Sequence, residues 1–503
     1  MKLKRILQNL EGIKSIEGKT SLDIRGIACD SKAVRDGYLF IAVKGSRFNG
    51  TDFINEAIDR GASAVILEHR NRNGFTFRRG VTFIYIGDAR LGLSKAALAF
   101  YGDISKKMHL YGVTGTNGKT TITYLLESLF KVKKERTGVI GTINYRFGGR
   151  LIPSVNTTPG VLGLYSLLNS MHKEGIENCV LEVSSHSLEQ GRVDTLSFDA
   201  AIFTNLTSEH LDYHENMENY LSSKMILFTK LKENGYAVVN KDDPYSEKII
   251  NRVKQDKRAN VLTYGIDTNA DVVGKDISFS LEGLRFTLCA PEANRIIIES
   301  RLIGRHNIYN ILAAAACGIA MGMEMRDIKA GIEAVSILPG RLEKIDCGQD
   351  FMVFVDYAHT EDGLKNVLNT LRDLRPVRLL TVFGCGGERD KSKRPKMGEV
   401  SAKLSDKIFI ISDNPRGEDP EEIVRQIAGG ICGDKDKYVI EIDRFKAIDA
   451  ALKEAKKGDM VLVAGKGHEA YQIFKDLTFP FDDREVVKRI LKEERICSQS
   501  KIS

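Results

Sequence analysis

An α/β protein of three domains is predicted by three observations. Apolar, strand-like runs alternate with helix-like segments, a glycine-rich loop stands between a strand and a helix, and four late strands each run into a polar or glycine-rich loop. At 503 residues the chain also exceeds what one compact core holds.

In chain order, residues 1–106 hold short strand-like runs at 38–43, 64–67 and 81–86 and a helix near 54–60, which predicts a small N-terminal α/β domain. Residues 107–337 follow. An apolar run at 108–113 leads into Gly112-Val113-Thr114-Gly115-Thr116-Asn117-Gly118-Lys119-Thr120-Thr121 and then a helical segment at 122–133. Strand, glycine loop and helix form the setting in which backbone N–H groups and a helix N-terminus cradle phosphates. Lys119 is expected to reach the β/γ-phosphates of ATP, and the Thr120 hydroxyl to ligate Mg²⁺. Val113 stands where the usual motif has its first glycine, which points to a GTNGKTT variant of the loop. Further strands at 178–183, 200–205 and 236–240, with helices between, predict a largely parallel, doubly wound central sheet of the P-loop ATPase type.

Leu338-Pro339-Gly340 reads as a linker. Residues 338–503 then carry strands at 352–355, 379–383, 407–411 and 460–463, and a C-terminal Rossmann-like domain is predicted. Their loops begin at Asp356, Gly384, Asp413 and Gly465. Ligands of open α/β sheets bind at the carboxyl ends of strands, so the four loops read as one rim.

Composition excludes several classes. Apolar residues make up 42% and charged residues 28%, as in globular proteins, and no run approaches the roughly 20 apolar residues that span a bilayer. Membrane insertion is not expected. The excess of +7, from 74 basic and 67 acidic residues, is interspersed rather than clustered with aromatics, which argues against nucleic acid and suits anionic small molecules. Eight scattered cysteines without a CxxC pair fit reduced thiols in a cytoplasm and offer no metal-ligand spacing.

A carboxylate near the phosphate loop is needed for Mg²⁺, a hard ion that prefers oxygen. Glu182, at a strand end, is the first candidate, and His210, inside the dense run 204–214, could complete a second cation's shell. Lys224, on an amphipathic segment, reads on physical grounds as an ordinary surface lysine. Cys385, without an evident base partner, reads as small and structural.

Taken together, these stretches resemble the Mur ligases, ATP-dependent enzymes that form amide bonds in peptidoglycan assembly. The resemblance runs through Cys29-Asp30-Ser31-Lys32, the GTNGKTT loop, Asn156-Thr157-Thr158-Pro159, Glu182-Val183-Ser184-Ser185-His186, Gln190-x-Arg192, residues 205–214 and Lys224. It continues through His306-Asn307-x-x-Asn310, Pro339-Gly340-Arg341, Asp356-Tyr357-Ala358-His359 and the late loops. Asp413-Asn414-Pro415-Arg416 is similar to the signature of members that add meso-2,6-diaminopimelate; lysine-adding members lack that arginine.

The resemblance implies an acid–amino-acid ligase that uses ATP and Mg²⁺. Its partners would be a UDP-N-acetylmuramoyl-dipeptide and diaminopimelate, in a cytoplasmic monomer. Lysine as the added amino acid, or a folylpolyglutamate-synthase-type ligase, are the alternatives. Lys119, Glu182, His210 and Lys224 would be catalytic. Thr120, Glu182, His210 and Lys224, the last as a carbamate formed with CO₂, would serve the metal. ATP would meet Gly115, Thr116, Asn117, Gly118, Lys119, Thr120, Thr121, Asn307, Asn310, Arg341 and Asp356. The UDP-linked substrate would meet Ser31, Thr157, Thr158, Ser184, Gln190 and Arg192. Diaminopimelate would meet Arg389, Asp413, Asn414, Arg416, Gly465 and Glu469.

Overall fold

A computed structural model of the chain describes residues 1–45, 48–68, 78–433 and 435–499. Among the described residues the strands form three principal sheets and one small hairpin.

The first sheet has five strands, in the order Ile13–Glu17, Thr82–Ile86, Ala62–Glu68, Tyr38–Ile41 and Gly26–Ala28. All pair in parallel except the first. Alternation along Tyr38–Ile41 sends Leu39 and Ile41 to one core and Phe40 to another, beside the helix Ile54–Asp59. The Leu39 side is continuous with the interior of the central unit, through residues such as Ala96, Leu164 and Leu181. Tyr101, ending the helix Ala89–Tyr101, stacks on Tyr165 of the next unit at 5.9 Å.

The central sheet has eleven strands. Seven run parallel, among them Asn178–Glu182, His109–Thr114 and Phe198–Phe203, which lie side by side. Two antiparallel strands flank them at each edge, which qualifies the largely parallel sheet read from the sequence. The connections explain it. Parallel neighbours need a long crossover, whereas Asn144–Phe147 and Arg150–Pro153 are joined by Gly148 and Gly149 alone, both at positive φ, a hairpin geometry that returns the chain antiparallel. From His109–Thr114 the chain first builds outward on one side and later on the other. The glycine loop therefore opens at the topological switch point.

The third sheet orders six strands as Glu343–Ile345, Met352–Asp356, Met460–Ala464, Leu379–Phe383, Lys407–Ile410 and Tyr438–Ile440, parallel after the first. Phe354, Phe383 and Leu462 fill one face, Val353, Val355, Leu380 and Val461 the other. Burial on both faces explains why these strands read as unbroken apolar runs. Asp356, Phe383, Ile410 and Ala464 end on the same edge, so the four predicted loops do form one rim.

Candidate active site

That rim closes over the glycine loop to bound a cavity of about 910 Å³, lined by central and third-sheet residues. The loop is braced before any phosphate arrives. Gly115 and Gly118 have φ of 146° and 90°; a β-carbon there would collide with Thr204 Oγ1 and Asn310 Oδ1 respectively. Asn117 N–H donates to Asn205 Oδ1 (2.9 Å), Thr204 Oγ1 donates to Asn117 O (2.6 Å), and Asn117 Nδ2 donates to Asp362 Oδ2 of the third unit (2.8 Å). The helix begins at Lys119, three residues earlier than the periodicity predicts, because the polar Lys-Thr-Thr already forms its first turn. Lys119 Nζ donates to the Gly115 and Thr116 carbonyls at 2.9 and 2.7 Å, and burial lowers its pKa. Thr116, Asn117, Gly118, Lys119, Thr120 and Thr121 line the cavity.

Glu182, 1% exposed, receives only neutral donors among the described residues: Thr120 Oγ1 (3.0 Å), Thr142 N–H (2.9 Å) and Thr142 Oγ1 (2.8 Å). Thr120 Oγ1 also accepts from Arg341 Nη2 at 3.3 Å. Across the cavity, Glu209 Oε1 lies 3.8 Å from His210 Nε2 and 3.5 Å from His359 Nε2. Burial works against its charge, yet these histidines and Lys119 hold the carboxyl well below the usual range. Burial brings His210 down to about 4 against the pull of Glu209.

Lys224 is not the surface lysine that physical reading of its helix predicts: it is 1% exposed. Tyr220, Leu221, Ser223 and Lys224 form the buried face of the helix Met217–Met225, which packs on Ser185–Glu189. Tyr220 and Lys224, four residues apart, share that face, and Lys224 Nζ lies 4.2 Å from the Tyr220 ring centroid. Its amine makes no hydrogen bond or ion pair with the described residues. Burial, followed by the charge of Lys119, pushes its pKa well below the ordinary value.

Thr157 Oγ1 meets Thr142 Oγ1 at 3.1 Å. Thr158 Oγ1 donates to Glu182 O (2.7 Å) and accepts from Ser184 N–H (3.1 Å), while Ser184 caps the helix Ser185–Glu189. The Arg192 fork is held by Thr158 O (2.6 Å) and Gln190 Oε1 (2.7 and 3.1 Å) and makes no salt bridge with the described residues. Ser31 lies apart: it is in the first unit, donates to Glu56 Oε2 at 2.8 Å and does not line the cavity. Asn307 and Asn310 pair with each other (2.9 Å), and Asn307 holds Ile303 O (2.7 Å). Arg341 lies 4.7 Å over the Tyr357 ring with its Nε buried and unpartnered. Burial raises the pKa of Asp356, which accepts from Leu342 and Ala358 N–H at 2.6 and 2.7 Å.

On the rim, Arg416 is half-buried, with Nη1 on Gly387 O (2.7 Å). Burial and the nearby Arg389 depress its pKa, and neither arginine has a carboxylate partner among the described residues. Asn414 Nδ2 donates to Glu469 Oε2 (3.2 Å), whose pKa is raised by burial and by Asp413. Asp413 is taken up by Lys466, 3.2 Å away, and Gly465 lines the cavity at φ 115°. Cys385 is buried against Met397 Sδ, and burial pushes its thiol up to about 11.

Sequence reasoning missed Thr142, Glu209, Asp362 and Lys466. Glu209 had a signal, its place in the run 204–214; Lys466, between two glycines, had a weaker one. Thr142 and Asp362 meet the site only through tertiary packing.

Comparison with known proteins agrees with this architecture. Models described as Mur ligase family, catalytic domain, as Mur ligase middle domain, and as Mur ligase, glutamate ligase domain match residues 23–101, 113–318 and 340–467. A relative from Caldanaerobacter subterraneus subsp. tengcongensis is 42% identical over 490 residues, 97% of this chain and 99% of its own. One from Geobacter metallireducens is 43% identical over 497 residues, 95% of this chain and 96% of its own. Both are named UDP-N-acetylmuramoyl-L-alanyl-D-glutamate--2,6-diaminopimelate ligase. A solved structure of a ligase of that name is similar with TM-score 0.69 and 32% identity, covering 98% of this chain and 99% of that one. Mycobacterium tuberculosis folylpolyglutamate synthase (TM-score 0.63, 17% identity, 75% of this chain, 92% of its own) shares the fold alone. The chain belongs to the Mur ligase family.

Proposed function

We propose that this chain is the ATP-dependent ligase that joins meso-2,6-diaminopimelate to the D-glutamate of UDP-N-acetylmuramoyl-L-alanyl-D-glutamate. One observation carries the reading: the cavity under the phosphate loop also holds two guanidinium groups without carboxylate partners, Arg389 and Arg416, facing Asn414 and Glu469. That set answers an amino acid with two ammonium and two carboxylate groups. Lysine, lacking the distal carboxylate, would leave Arg416 unanswered, a penalty of about 1–3 kcal/mol.

In the reaction so read, the D-glutamate carboxylate attacks the γ-phosphorus of ATP and ADP leaves. The resulting acyl phosphate is attacked by the diaminopimelate amine, and phosphate departs from the tetrahedral intermediate. Both partners of the first step are anionic, so neutralising charge is the main task. Lys119 would exchange its two loop carbonyls for phosphate oxygens, and Arg341 has a buried, unpartnered Nε–H to offer. Thr157, Thr158, Ser184, Gln190 and Arg192 would take the muramoyl-dipeptide, Ser31 the UDP end, and Asn307, Asn310 and Asp356 the adenosine.

The donor set fits Mg²⁺: Glu182 is a buried carboxylate served only by hydroxyl and amide groups, next to Thr120. Thr120, Glu182, His210 and a carbamate of Lys224 would hold it. When bound it supplies neutralisation of phosphate charge. The depressed pKa of Lys224 supports the carbamate, since only the neutral amine adds to CO₂. A cytoplasmic monomer with domain boundaries near residues 106 and 337 completes the reading. No helix among the described residues is long and apolar enough to cross a membrane.

Phosphate release from ATP tests the proposal. It is expected only when the UDP-linked dipeptide and diaminopimelate are both present, together with a nucleotide product heavier by one diaminopimelate less water. Release indifferent to either substrate would refute it.

A further inference from the structure

Lys466 lies beneath the rim and is 0% exposed. Its Nζ donates to Asn414 Oδ1 at 2.9 Å and to Tyr471 O at 2.7 Å, and stands 3.2 Å from Asp413 Oδ1 and 3.7 Å from Glu469 Oε2. A second donor reaches the same Asn414 atom: Ile473 N–H, at 3.0 Å. An ammonium and a backbone N–H can only donate, so the atom they share must be the amide oxygen. The amide nitrogen of Asn414 is thereby turned the other way, to Glu469 and the cavity that Arg389 and Arg416 also line.

We propose that Lys466 is a positioning residue for the incoming amino acid. By holding Asn414 Oδ1 it turns the amide N–H₂ toward the cavity, so that a substrate carboxylate between Arg389 and Arg416 meets a further donor there rather than an oxygen. It also balances Asp413 and Glu469, keeping two buried carboxylates from opposing that carboxylate. Without the ammonium only Ile473 N–H and Glu469 still hold the amide, so it presents its oxygen to the cavity more often, which repels a distal carboxylate but is indifferent to an amino acid that lacks the distal group. Lys466 therefore acts on selectivity as well as affinity. The inference rests on the function proposed above and adds a residue to its specificity site.

The test is steady-state kinetics of the full chain, varying each of the three substrates in turn, for the wild type, Lys466→Met and Asn414→Asp. Asn414→Asp keeps both acceptor positions for Lys466 and Ile473 but shows Glu469 and the cavity an oxygen; Lys466 offsets part of the added charge, so a lower melting temperature with a retained cooperative transition is expected. Both variants should raise KM for diaminopimelate on the order of ten- to a hundredfold, while KM for ATP and for the UDP-linked dipeptide stays within about twofold. The preference for diaminopimelate over lysine should fall by the same factor. An unchanged diaminopimelate KM in folded Lys466→Met, or a parallel rise for all three substrates, overturns the proposal. If Lys466→Met does not fold, Asn414→Asp decides, and an unchanged diaminopimelate KM there overturns it equally. A wild-type enzyme inert toward diaminopimelate would overturn the functional reading beneath it, an outcome distinguishable because it needs no variant.

Discussion

Two lysines, Lys224 in the central unit and Lys466 in the third, are equally buried at 1% and 0% exposure and have opposite surroundings. Lys466 has two acceptors and two carboxylates within 4 Å, so its charge is compensated by the protein. For Lys224, burial and then the repulsion of Lys119 disfavour the charged form and outweigh the pull of Glu209, with the Tyr220 ring beside the amine. A buried cation with a complete set of partners belongs to the architecture. One without such partners among the described residues is left available for chemistry, as the carbamate and metal role proposed for Lys224 require.

The largest expected effect separates the two most sharply. Lys224→Met should reduce turnover on the order of 10²–10³-fold, the loss typical of one electrostatic group in a charged transition state. Its melting temperature should hold or rise, because the change removes a buried amine that has no hydrogen bond or ion pair among the described residues. A fall in stability matching the fall in activity would break the comparison.

Lys466→Met should do the reverse to stability. Leaving Asp413 and Glu469 buried without their cation is expected to lower unfolding free energy by about 3–5 kcal/mol, measured by denaturant titration. A third buried cation, Arg394, 0% exposed, repeats the pattern with Glu418, whose two oxygens accept from it at 3.0 and 3.1 Å. Arg394 holds the Glu418 pKa down at about 2. The lowered pKa means that this stabilisation is complete above the ordinary glutamate value and is lost as pH falls from there toward about 2. Acid melts should show that loss, and Glu418→Gln should remove that part of the pH dependence.

Smaller effects lie on the rim. Burial and Asp413 raise the Glu469 pKa, so as pH falls it takes up a proton earlier than an ordinary glutamate and stops accepting from an ammonium. KM for diaminopimelate should therefore climb on the acid side, and Glu469→Gln should flatten the profile. Smallest of all, Cys385→Ala should leave turnover unchanged and lower stability by about 1 kcal/mol, because a thiol with its pKa pushed up to about 11 stays protonated and serves packing.

Much of this was legible in the sequence for physical reasons. Strands buried on both faces must be apolar throughout, and the loops that follow must be polar or glycine-rich to meet ligands. Runs such as 379–383 and 460–463 therefore declared both the third sheet and its functional edge. The phosphate loop was legible because only glycine tolerates the close approach of Thr204 and Asn310. The antiparallel edges were not, since a short hairpin and a crossover differ only in what lies between the strands. Nor was the burial of Lys224, which depends on the helix Ser185–Glu189 covering one face of its own. The partners of Lys466 come from residues 469 and 471 nearby and from residues 413–414, which reach it only when the sheet forms. Sequence can show that a lysine is present, but whether it has partners is decided by tertiary packing.

A direct competition tests whether the rim answers a distal carboxylate. The protein is given ATP, the UDP-linked dipeptide, and equimolar diaminopimelate and lysine, and the two nucleotide products are weighed by mass spectrometry. The account predicts an excess of the diaminopimelate product of tenfold or more, about 1.4 kcal/mol of discrimination. Comparable amounts of both, or an excess of the lysine product, would contradict it.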